Sequence, residues 1–317
     1  MKKKITILIP AYNEEAVLPL LKERLYKLGE SLPHYNLEFL FVNDGSRDGT
    51  MQFIRDWANE DSRVSYVNFA RNFGKEAGMI AGFDHIKSDA TVIIDADLQD
   101  PPELIPDMLA LWEQGYDDVY AKRKSRDGET WLKRKTSEWY YRVLQKSTRI
   151  PIQRDTGDFR LLSMRCVETL TKLRESERNT KALFSWIGYK KKEILYDREP
   201  RAAGVTKWNY AKLVELALDG ITSFTVAPLR IATYFGIVIS LAAFVYIAYL
   251  LIRPLFGVET IAGYSSTMAV ILFLGGVQLL SLGIIGEYVG RIFKETKGRP
   301  LYLVEEYHNG YLKRTKE

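Results

Sequence analysis

Cysteine and histidine are scarce in this chain of 317 residues, which has one cysteine and three histidines. The single cysteine, Cys166, excludes an intramolecular disulfide and suits a reducing compartment, and we interpret it as a small core residue. The histidines His34, His85 and His308 are widely separated, and we interpret all three as non-catalytic. Because zinc sites need clusters of cysteine or histidine ligands, a zinc centre is not expected.

Two glycine-rich phosphate-binding motifs are also absent. The sequence has neither Gly-x-Gly-x-x-Gly nor Gly-x-x-x-x-Gly-Lys-Ser/Thr, so it gives no support to a dinucleotide-binding Rossmann domain or a P-loop. A cleavable signal peptide is not expected either, because the apolar run behind Met1-Lys2-Lys3-Lys4 ends at Pro10 and is too short. The N-terminal part should therefore remain on the side of the membrane where the protein is synthesised.

Charge is unevenly distributed along the chain, which carries a formal net charge of +5. Residues 1–206 are rich in charged side chains, whereas most of 229–290 is apolar. A basic chain can bind nucleic acid, a membrane surface or an anionic substrate. The separation into a charged part and an apolar part favours the last two, and no nucleic-acid partner is expected.

Two long segments contain no charged residue, Ile231–Ile252 over 22 positions and Thr267–Gly286 over 20. Each is long enough for a transmembrane helix, and two consecutive runs of this length favour membrane spans, over about 231–252 and 267–288, against a pair of buried core helices. The connecting loop 253–266 has one arginine and one glutamate, while the outer flanks carry Arg230, Arg291, Lys294, Lys297 and Arg299. This asymmetry predicts that both termini are cytoplasmic.

These features divide the chain into four predicted parts: a cytoplasmic domain over 1–206, an interfacial amphipathic region over 207–228, two transmembrane helices within 229–290, and a cytoplasmic tail over 291–317. Within the interfacial region, the position of Trp208–Val226 just before a span favours the membrane surface. The segment Trp131–Arg149 also mixes basic and aromatic residues. For it, an interfacial helix and a solvated helix packed on the sheet both remain open.

The N-terminal part has the pattern of an α/β domain. Strand-like runs at 5–9, 37–42, 64–69 and 91–94 alternate with helical spacing at 14–28, 49–59 and 74–86. This alternation predicts a mostly parallel sheet with helices on both faces. Ligands of such sheets bind beyond the carboxyl ends of the strands, and Tyr12, Asp44 and Asp95 each lie just past a predicted strand end.

The run Asp95-Ala96-Asp97-Leu98-Gln99 directly follows the fourth predicted strand. If the segment stays extended, Asp95, Asp97 and Gln99 point to the same side. Two carboxylates and an amide oxygen form an all-oxygen ligand set, which suits Mg²⁺ or Mn²⁺ with substrate phosphates as the remaining ligands. The alternative is an ordinary polar turn.

Six motifs occur along the chain, namely Ile7-Leu8-Ile9-Pro10-Ala11-Tyr12-Asn13-Glu14, Val42-Asn43-Asp44-Gly45-Ser46-Arg47-Asp48-Gly49-Thr50, Ala70-Arg71-Asn72-Phe73-Gly74-Lys75, Asp95-Ala96-Asp97-Leu98-Gln99-Asp100-Pro101-Pro102-Glu103, Asp155-Thr156-Gly157-Asp158-Phe159-Arg160 and Gly204-Val205-Thr206-Lys207-Trp208. The first, second and fourth of them resemble glycosyltransferase family 2. The other three, with the two C-terminal spans, make the chain similar within that family to bactoprenol glucosyltransferases and dolichol-phosphate mannose synthases, and the resemblance covers essentially the whole chain. Asn43 departs from the family pattern, which often has a second aspartate there, and the Gln-x-x-Arg-Trp motif typical of polymer-forming members is absent.

The resemblance implies a GT-A-type fold and a set of site residues. Asp158 and Asp97 are the implied catalytic residues, and Asp95, Asp97 and Gln99 are the implied ligands of Mg²⁺ or Mn²⁺. The implied nucleotide-binding residues are Pro10, Ala11, Tyr12, Glu14, Asp44, Lys75 and Asp95. The implied contacts of the acceptor phosphate are Arg123, Lys133, Arg134 and Ser137, and those of the donor phosphates are Arg201 and Lys207.

The resemblance also implies an activity, the inverting transfer of a hexose from a nucleotide-sugar to polyprenyl (undecaprenyl) phosphate for cell-envelope glycosylation. UDP-glucose is the favoured donor. The implied partners are the two substrates and the lipid bilayer, with a homo-oligomer permitted by the glycine-rich spans, and the implied location is the bacterial cytoplasmic (inner) membrane. The alternatives are a family 2 transferase with another lipid or sugar acceptor, a GDP-mannose-dependent mannose synthase, and a non-enzymatic membrane protein.

Overall fold

The computed structural model describes residues 2–124, 156–176, 178–197, 227–252 and 263–310. The chain divides into two compact units, which we call the sheet unit and the helical unit. The predicted interfacial segments 131–149 and 208–226 lie outside the described residues. The sheet unit comprises Met1–Gln145, Arg149–Asn209 and Pro300–Glu317, and the helical unit comprises Lys146–Thr148 and Tyr210–Arg299.

The sheet unit confirms the predicted alternation of strands and helices. All seven elements predicted between residues 5 and 94 are present, with ends that differ by a few residues. The first helix begins at Leu18 and not at Glu14, with Pro19 in its first turn, where a missing N–H costs no helical hydrogen bond. In chain order the elements are β1 (Lys3–Ala11), α1 (Leu18–Ser31), β2 (Tyr35–Asn43), α2 (Thr50–Glu60), β3 (Val64–Phe69), α3 (Lys75–His85), β4 (Ala90–Ile93), a 3₁₀ turn (Pro102–Leu104), α4 (Ile105–Glu113), β5 (Asp118–Arg123), β6 (Thr156–Ser163), α5 (Met164–Lys172), α6 (Thr180–Trp186), β7 (Lys191–Tyr196) and β8 (Val304–His308).

The described strands form one sheet of eight, in the order β7-β5-β6-β4-β1-β2-β3-β8. Four neighbouring pairs are parallel, namely β1 with β2, β1 with β4, β2 with β3, and β5 with β7. The strands β6 and β8 run antiparallel to their neighbours. The sheet is therefore mostly parallel, as predicted, with antiparallel strands added at β6 and at the β8 edge.

Helices cover both faces of this sheet, as β1 shows. Alternate β1 residues such as Ile7 are fully buried in a core shared with Leu21 of α1 and Trp57 of α2. The intervening residue Leu8 faces α3, where Gly82 packs so closely that a Cβ at this position would collide with the Leu8 side chain. The alternation of side chains along a strand thus places apolar residues against a helical layer on each side.

The strand β8 follows the long apolar helices in sequence and returns to the sheet beside β3. Val67 pairs with Tyr307 in the antiparallel register. Glu306 on β8 accepts hydrogen bonds from Arg55 of α2 and from the Tyr66 hydroxyl, both at 2.6 Å. The strand β8 could not be predicted from the sequence, because its five residues carry two glutamates and its partner strand lies far away in the sequence.

The helical unit contains two long helices, α7 (Ala227–Ile252) and α8 (Tyr264–Thr296). Both are long and apolar enough to cross a membrane, with mean hydropathies of 1.8 over Leu229–Tyr246 and 1.4 over Phe273–Thr296. Their large apolar side chains are exposed, including Phe244 and Leu279. Exposed apolar side chains over such lengths fit a lipid environment better than water.

Candidate active site

The carboxyl ends of β1, β2 and β4 meet at one edge of the sheet. In the parallel register Ala11 pairs with Asn43, and Leu8 pairs with Ile93. A cleft of about 290 Å³ opens at this edge. It contains all seven residues of the predicted nucleotide set together with Asp97, and its lining is Pro10, Ala11, Tyr12, Glu14, Asp44, Asn72, Gly74, Lys75, Gly78, Asp95, Ala96 and Asp97.

The Asp44 carboxylate fixes the segment that precedes α3. It accepts hydrogen bonds from the Phe73 N–H at 2.6 Å, the Gly74 N–H at 2.9 Å and the Asn72 side chain at 2.9 Å. Gly74 has φ of +95°, a conformation that favours glycine. Burial raises the pKa of Asp44. The backbone N–H groups stabilise the charged form and lower the pKa, but the effect of burial is larger. Asp44 thus joins the end of β2 to the start of α3.

The loops after β1 and β2 are also tied together. The Asn13 N–H donates to Ser46 Oγ at 2.9 Å, and the Arg47 N–H donates back to Asn13 Oδ1 at 2.8 Å. Asn13 has φ of +56°, which asparagine tolerates better than most residues. The Glu14 N–H donates to Thr50 Oγ1 at 2.8 Å. These contacts hold one wall of the cleft, which carries Tyr12 and Glu14.

Lys75 connects two carboxylates that are far apart in sequence. Its Nζ lies 2.5 Å from Asp95 Oδ1 and 2.7 Å from Asp158 Oδ2. Burial opposes the charge on this ammonium group, but Asp95 and Asp158 raise the pKa of Lys75 above its ordinary value. The structure therefore brings the predicted residue Asp158, on β6, next to a side chain that lines the cleft.

Asp158 is buried, with 8% of its surface exposed. Burial alone would raise its pKa, but Lys75 and Lys181 lower the pKa of Asp158 below its usual range. Its Oδ1 atom is buried and has no hydrogen-bond partner within the described part of the chain. The lowered pKa favours the ionised form of this carboxylate, which is a weak proton acceptor.

The Asp95–Gln99 segment differs from the extended conformation that the sequence analysis expected. The strand β4 ends at Ile93, Ala96 and Asp97 form a turn, and Leu98 has φ of +57°. Asp97 Oδ1 accepts a hydrogen bond from the Gln99 N–H at 3.1 Å, an arrangement that favours a turn over a straight strand. As a result Asp95 and Asp97 line the cleft, whereas Gln99 is buried beyond the turn and is absent from the lining.

Arg123, the predicted acceptor contact, ends β5 and pairs in register with Tyr196 of β7. The Tyr196 hydroxyl donates to Asp100 Oδ1 at 2.6 Å, and burial raises the pKa of Tyr196. The Tyr196 ring also contacts Phe159, the neighbour of Asp158, at 6.1 Å between centroids. Arg123 thus pairs with a residue of a buried cluster that contains Asp100, Tyr196 and Phe159. The other predicted phosphate contacts, Lys133, Arg134, Ser137, Arg201 and Lys207, lie outside the described residues.

Four residues of the lining are not among the predicted site residues, namely Asn72, Gly74, Gly78 and Ala96. Asn72 and Gly74 belong to a motif that was used only for the family resemblance. The signal that could have identified them is their position, because the run Asn72-Phe73-Gly74 follows the end of β3 at the same edge of the sheet as Asp44.

The single cysteine is remote from this chemistry. Cys166 is fully buried on α5, and burial raises the pKa of its thiol to about 12. A thiol with such a pKa is protonated at neutral pH and is a poor nucleophile. This agrees with its interpretation as a core residue.

Comparison with known proteins finds similarity along almost the entire chain. Residues 6–171 match glycosyl transferase family 2, and residues 227–292 match the GtrB C-terminal hairpin. An uncharacterized glycosyltransferase of Synechocystis is 48% identical over 96% of each chain. A prophage-derived bactoprenol glucosyl transferase of Shigella flexneri is 43% identical over 97% of this chain and 99% of its own. Among solved structures, glucosyl-3-phosphoglycerate synthase from Mycobacterium tuberculosis is 18% identical, with a TM-score of 0.47 over 69% of this chain and 76% of the other.

Proposed function

We propose that this chain, which belongs to glycosyl transferase family 2, transfers glucose from a nucleotide-sugar to a polyprenyl phosphate. Relatives that share more than 40% of its residues over nearly their whole length are named bactoprenol glucosyl transferases. The observation that carries the proposal is the cleft at the carboxyl ends of β1, β2 and β4, in which Asp44, Lys75, Asp95 and Asp97 meet. The nucleotide-sugar is proposed to bind there, with UDP-glucose as the donor.

The cleft suits a divalent metal that is shared with the donor diphosphate. Asp95 and Asp97 both line the cleft, and the Asp95 carboxylate forms an ion pair with the Lys75 ammonium group. Among the described residues no cluster of three or more acidic, histidine or cysteine side chains could hold an ion by itself. Mg²⁺ commonly takes one or two carboxylates and completes its shell with substrate phosphates and water, so these two residues fit. When bound, the ion would neutralise charge on the leaving diphosphate.

The proposed reaction needs alignment more than a strong base. An oxygen of the polyprenyl phosphate forms a bond to the anomeric carbon, the bond from that carbon to the donor β-phosphate breaks, and the nucleoside diphosphate leaves with inversion. A phosphate monoester is already anionic at neutral pH, so its oxygen needs no deprotonation. A lowered pKa makes Asp158 a poor base. Its buried Oδ1 has no hydrogen-bond partner among the described residues, which supports a role in orienting a substrate hydroxyl. Lys75 contacts both the Asp158 and the Asp95 carboxylate and so fixes their positions relative to each other.

The acceptor phosphate is proposed to bind on the Arg123 side of the cleft. Arg123 pairs in register with Tyr196, whose hydroxyl contacts Asp100 and whose ring contacts Phe159. Lys133, Arg134 and Ser137 stay proposed contacts of the same phosphate, and Arg201 and Lys207 stay proposed contacts of the donor phosphates. Guanidinium groups suit this task because they remain charged and bind phosphate through two N–H groups.

The function is tested by incubating the purified full-length protein with Mg²⁺, undecaprenyl phosphate and, separately, UDP-glucose, UDP-GlcNAc, UDP-galactose and GDP-mannose. The expected product is a hexosyl-phosphoundecaprenol detected by mass, formed fastest with UDP-glucose. The Arg123→Ala variant should raise the KM for undecaprenyl phosphate about tenfold or more, because a charged phosphate contact is lost, while UDP-glucose affinity stays within about twofold.

The exposed surface arginine Arg165, which pairs with Asp117, provides the matched control, and Arg165→Ala should leave both constants unchanged. Faster transfer with GDP-mannose would replace the proposed donor. Preferred transfer to diacylglycerol or to a free sugar would reject the polyprenyl phosphate acceptor. Loss of UDP-glucose affinity in Arg123→Ala would place this arginine on the donor side.

We further propose that α7 and α8 cross the membrane and that the sheet unit lies on its cytoplasmic side. The sheet unit contains residues from both sides of the helix pair, since β8 pairs with β3. A chain whose segments before and after the hairpin complete one sheet must cross the membrane an even number of times. The arginine and lysine residues outside the loop 253–266 support a cytoplasmic location of the sheet unit.

Reporter fusions test this topology. A reporter inserted after Ser265 should report the periplasmic side, and one fused after Glu317 should report the cytoplasmic side, because the two sites are separated by one span. A fusion after Val226, before α7 begins at Ala227, serves as the internal control and should behave like the one at Glu317. Two fusions at Ser265 and Glu317 that report the same side would refute two crossings.

A further inference from the structure

A chain of hydrogen bonds leads from β8, after the apolar helices, to the loops that form the cleft. The Asn68 side-chain N–H donates to Glu305 at 3.0 Å, and the Asn43 side-chain N–H donates to Asn68 Oδ1 at 2.7 Å. Ser46 Oγ donates to Asn43 Oδ1 at 2.5 Å and accepts from the Asn13 N–H at 2.9 Å. These hydrogen bonds link five residues from four separate segments. We call this chain of hydrogen bonds the relay, and its members are Glu305, Asn68, Asn43, Ser46 and Asn13.

Each amide in this relay has its orientation fixed by its neighbours. The Asn43 oxygen accepts from Ser46, so its NH₂ group must face Asn68. Asn68 then presents its oxygen to Asn43 and its NH₂ group to Glu305, which as a carboxylate can only accept. Asn43 and Asn68 are almost fully buried, at 1% and 5% exposure, so a mismatch between them would be costly.

The relay ends beside the proposed donor site. Asn43 is the last residue of β2 and directly precedes Asp44, which lines the cleft. Ser46 and Asn13 connect the two loops that carry Asp44 and Tyr12. The orientation of Asn43 therefore bears on the geometry of that wall.

We propose that Glu305 is a positioning residue for the donor site. We also propose that Asn43 and Glu305 form a matched pair, in which the hydrogen-bonding groups of the two residues must both suit one orientation of the Asn68 amide between them. By fixing the Asn68 amide, Glu305 fixes Asn43 and, through it, the loops after β1 and β2. One residue of the strand that follows the helix pair then contributes to the geometry of the donor site. The link to the donor rests on the proposed function, whereas the pairing of the two residues does not.

The pairing explains why an asparagine suits position 43 in this chain. An aspartate there would need the NH₂ group of Asn68, so the Asn68 amide would have to flip. Its oxygen would then face the Glu305 carboxylate, which is repulsive. A glutamine at position 305 can donate to the flipped Asn68, so it should make aspartate acceptable at position 43.

The test is a double-mutant cycle on the full-length protein, with UDP-glucose binding measured by calorimetry in Mn²⁺ and unfolding measured by a thermal melt. Asn43→Asp is expected to weaken UDP-glucose binding about fivefold and to lower the unfolding temperature, because the relay loses a matched hydrogen bond. Glu305→Gln alone should change binding by less than about twofold, because the amide oxygen of glutamine can still accept the hydrogen bond from the Asn68 NH₂ group. The double variant should return to within about twofold of the wild type.

Glu306→Gln is the control, because Glu306 is the neighbouring residue of β8 but pairs with Arg55 outside the relay. It should lower the unfolding temperature and leave UDP-glucose affinity within about twofold. Additive effects of Asn43→Asp and Glu305→Gln on both quantities would overturn the matched pair. A loss of affinity in Glu306→Gln equal to that in Asn43→Asp would show a general effect of β8 and overturn the positioning role. If the wild type binds no UDP-glucose, UDP-glucose is rejected as the donor. The unfolding temperatures of the four proteins in the cycle then decide by themselves whether Asn43 and Glu305 are a matched pair.

Discussion

Replacing Asp97 by asparagine should lower turnover roughly a hundredfold or more, because the proposed metal loses a carboxylate ligand. The metal would then stabilise the charge on the leaving diphosphate less well. Asparagine retains an oxygen that can accept the hydrogen bond from the Gln99 N–H, so the turn after β4 should persist. The variant therefore separates the charge of Asp97 from its structural contact. Asp97→Ala removes both and should be at least as inactive.

The measurement is the steady-state rate of glycolipid formation, accompanied by a thermal melt of each variant. Asp97→Asn should unfold at the wild-type temperature, and excess EDTA should abolish wild-type turnover until Mg²⁺ or Mn²⁺ is restored. Wild-type activity that persists in EDTA, or an Asp97→Asn variant that retains full turnover, would contradict the proposed metal site.

Replacing Asp158 by asparagine should lower kcat about a hundredfold, while UDP-glucose affinity changes by less than about threefold. The Asp158 carboxylate balances the charge of the Lys75 ammonium group, and its Oδ1 atom is proposed to orient a substrate group at the reacting carbon. Asparagine has nearly the same shape but cannot balance this charge. The loss should therefore appear mainly in kcat and not in donor binding.

The rate and the donor affinity are compared with those of Asp107→Asn, a substitution of an exposed aspartate on α4 that should have no effect. A thermal melt shows whether the buried substitution at Asp158 also destabilises the sheet unit. A folded Asp158→Asn variant with wild-type kcat would remove Asp158 from the reaction. An equal loss in donor affinity and kcat would instead assign it to nucleotide-sugar binding.

Much of the site could be predicted from the sequence because each strand and the polar residues at its end are contained in one short segment of the chain. Apolar runs at the right lengths predicted β1, β2, β3 and β4, and polar residues at their ends predicted which side chains share an edge of the sheet. Parallel strands necessarily bring their carboxyl ends together. Tyr12, Asp44 and Asp95 were placed in one crevice on this argument, and the structure brings them into one cleft.

Other features depended on contacts that no local pattern contains. The expected extended segment at Asp95–Gln99 was wrong because the Asp97 side chain captures the Gln99 N–H and makes a turn. The position of Lys75 between Asp95 and Asp158 required α3, β4 and β6 to be assembled. Neither the spacing nor the composition of these segments specifies which side chains face one another.

The sequence by itself determined the α/β alternation, the two long apolar helices and the residues at the strand ends, because hydrophobic periodicity and charge depend only on neighbouring positions. Only the tertiary structure decided that β8 closes the sheet beside β3 and that Glu305 contacts Asn68, 237 residues earlier in the chain. A five-residue strand with two glutamates has little tendency to form alone. It forms because the folded sheet offers an unpaired edge and partners for both carboxylates.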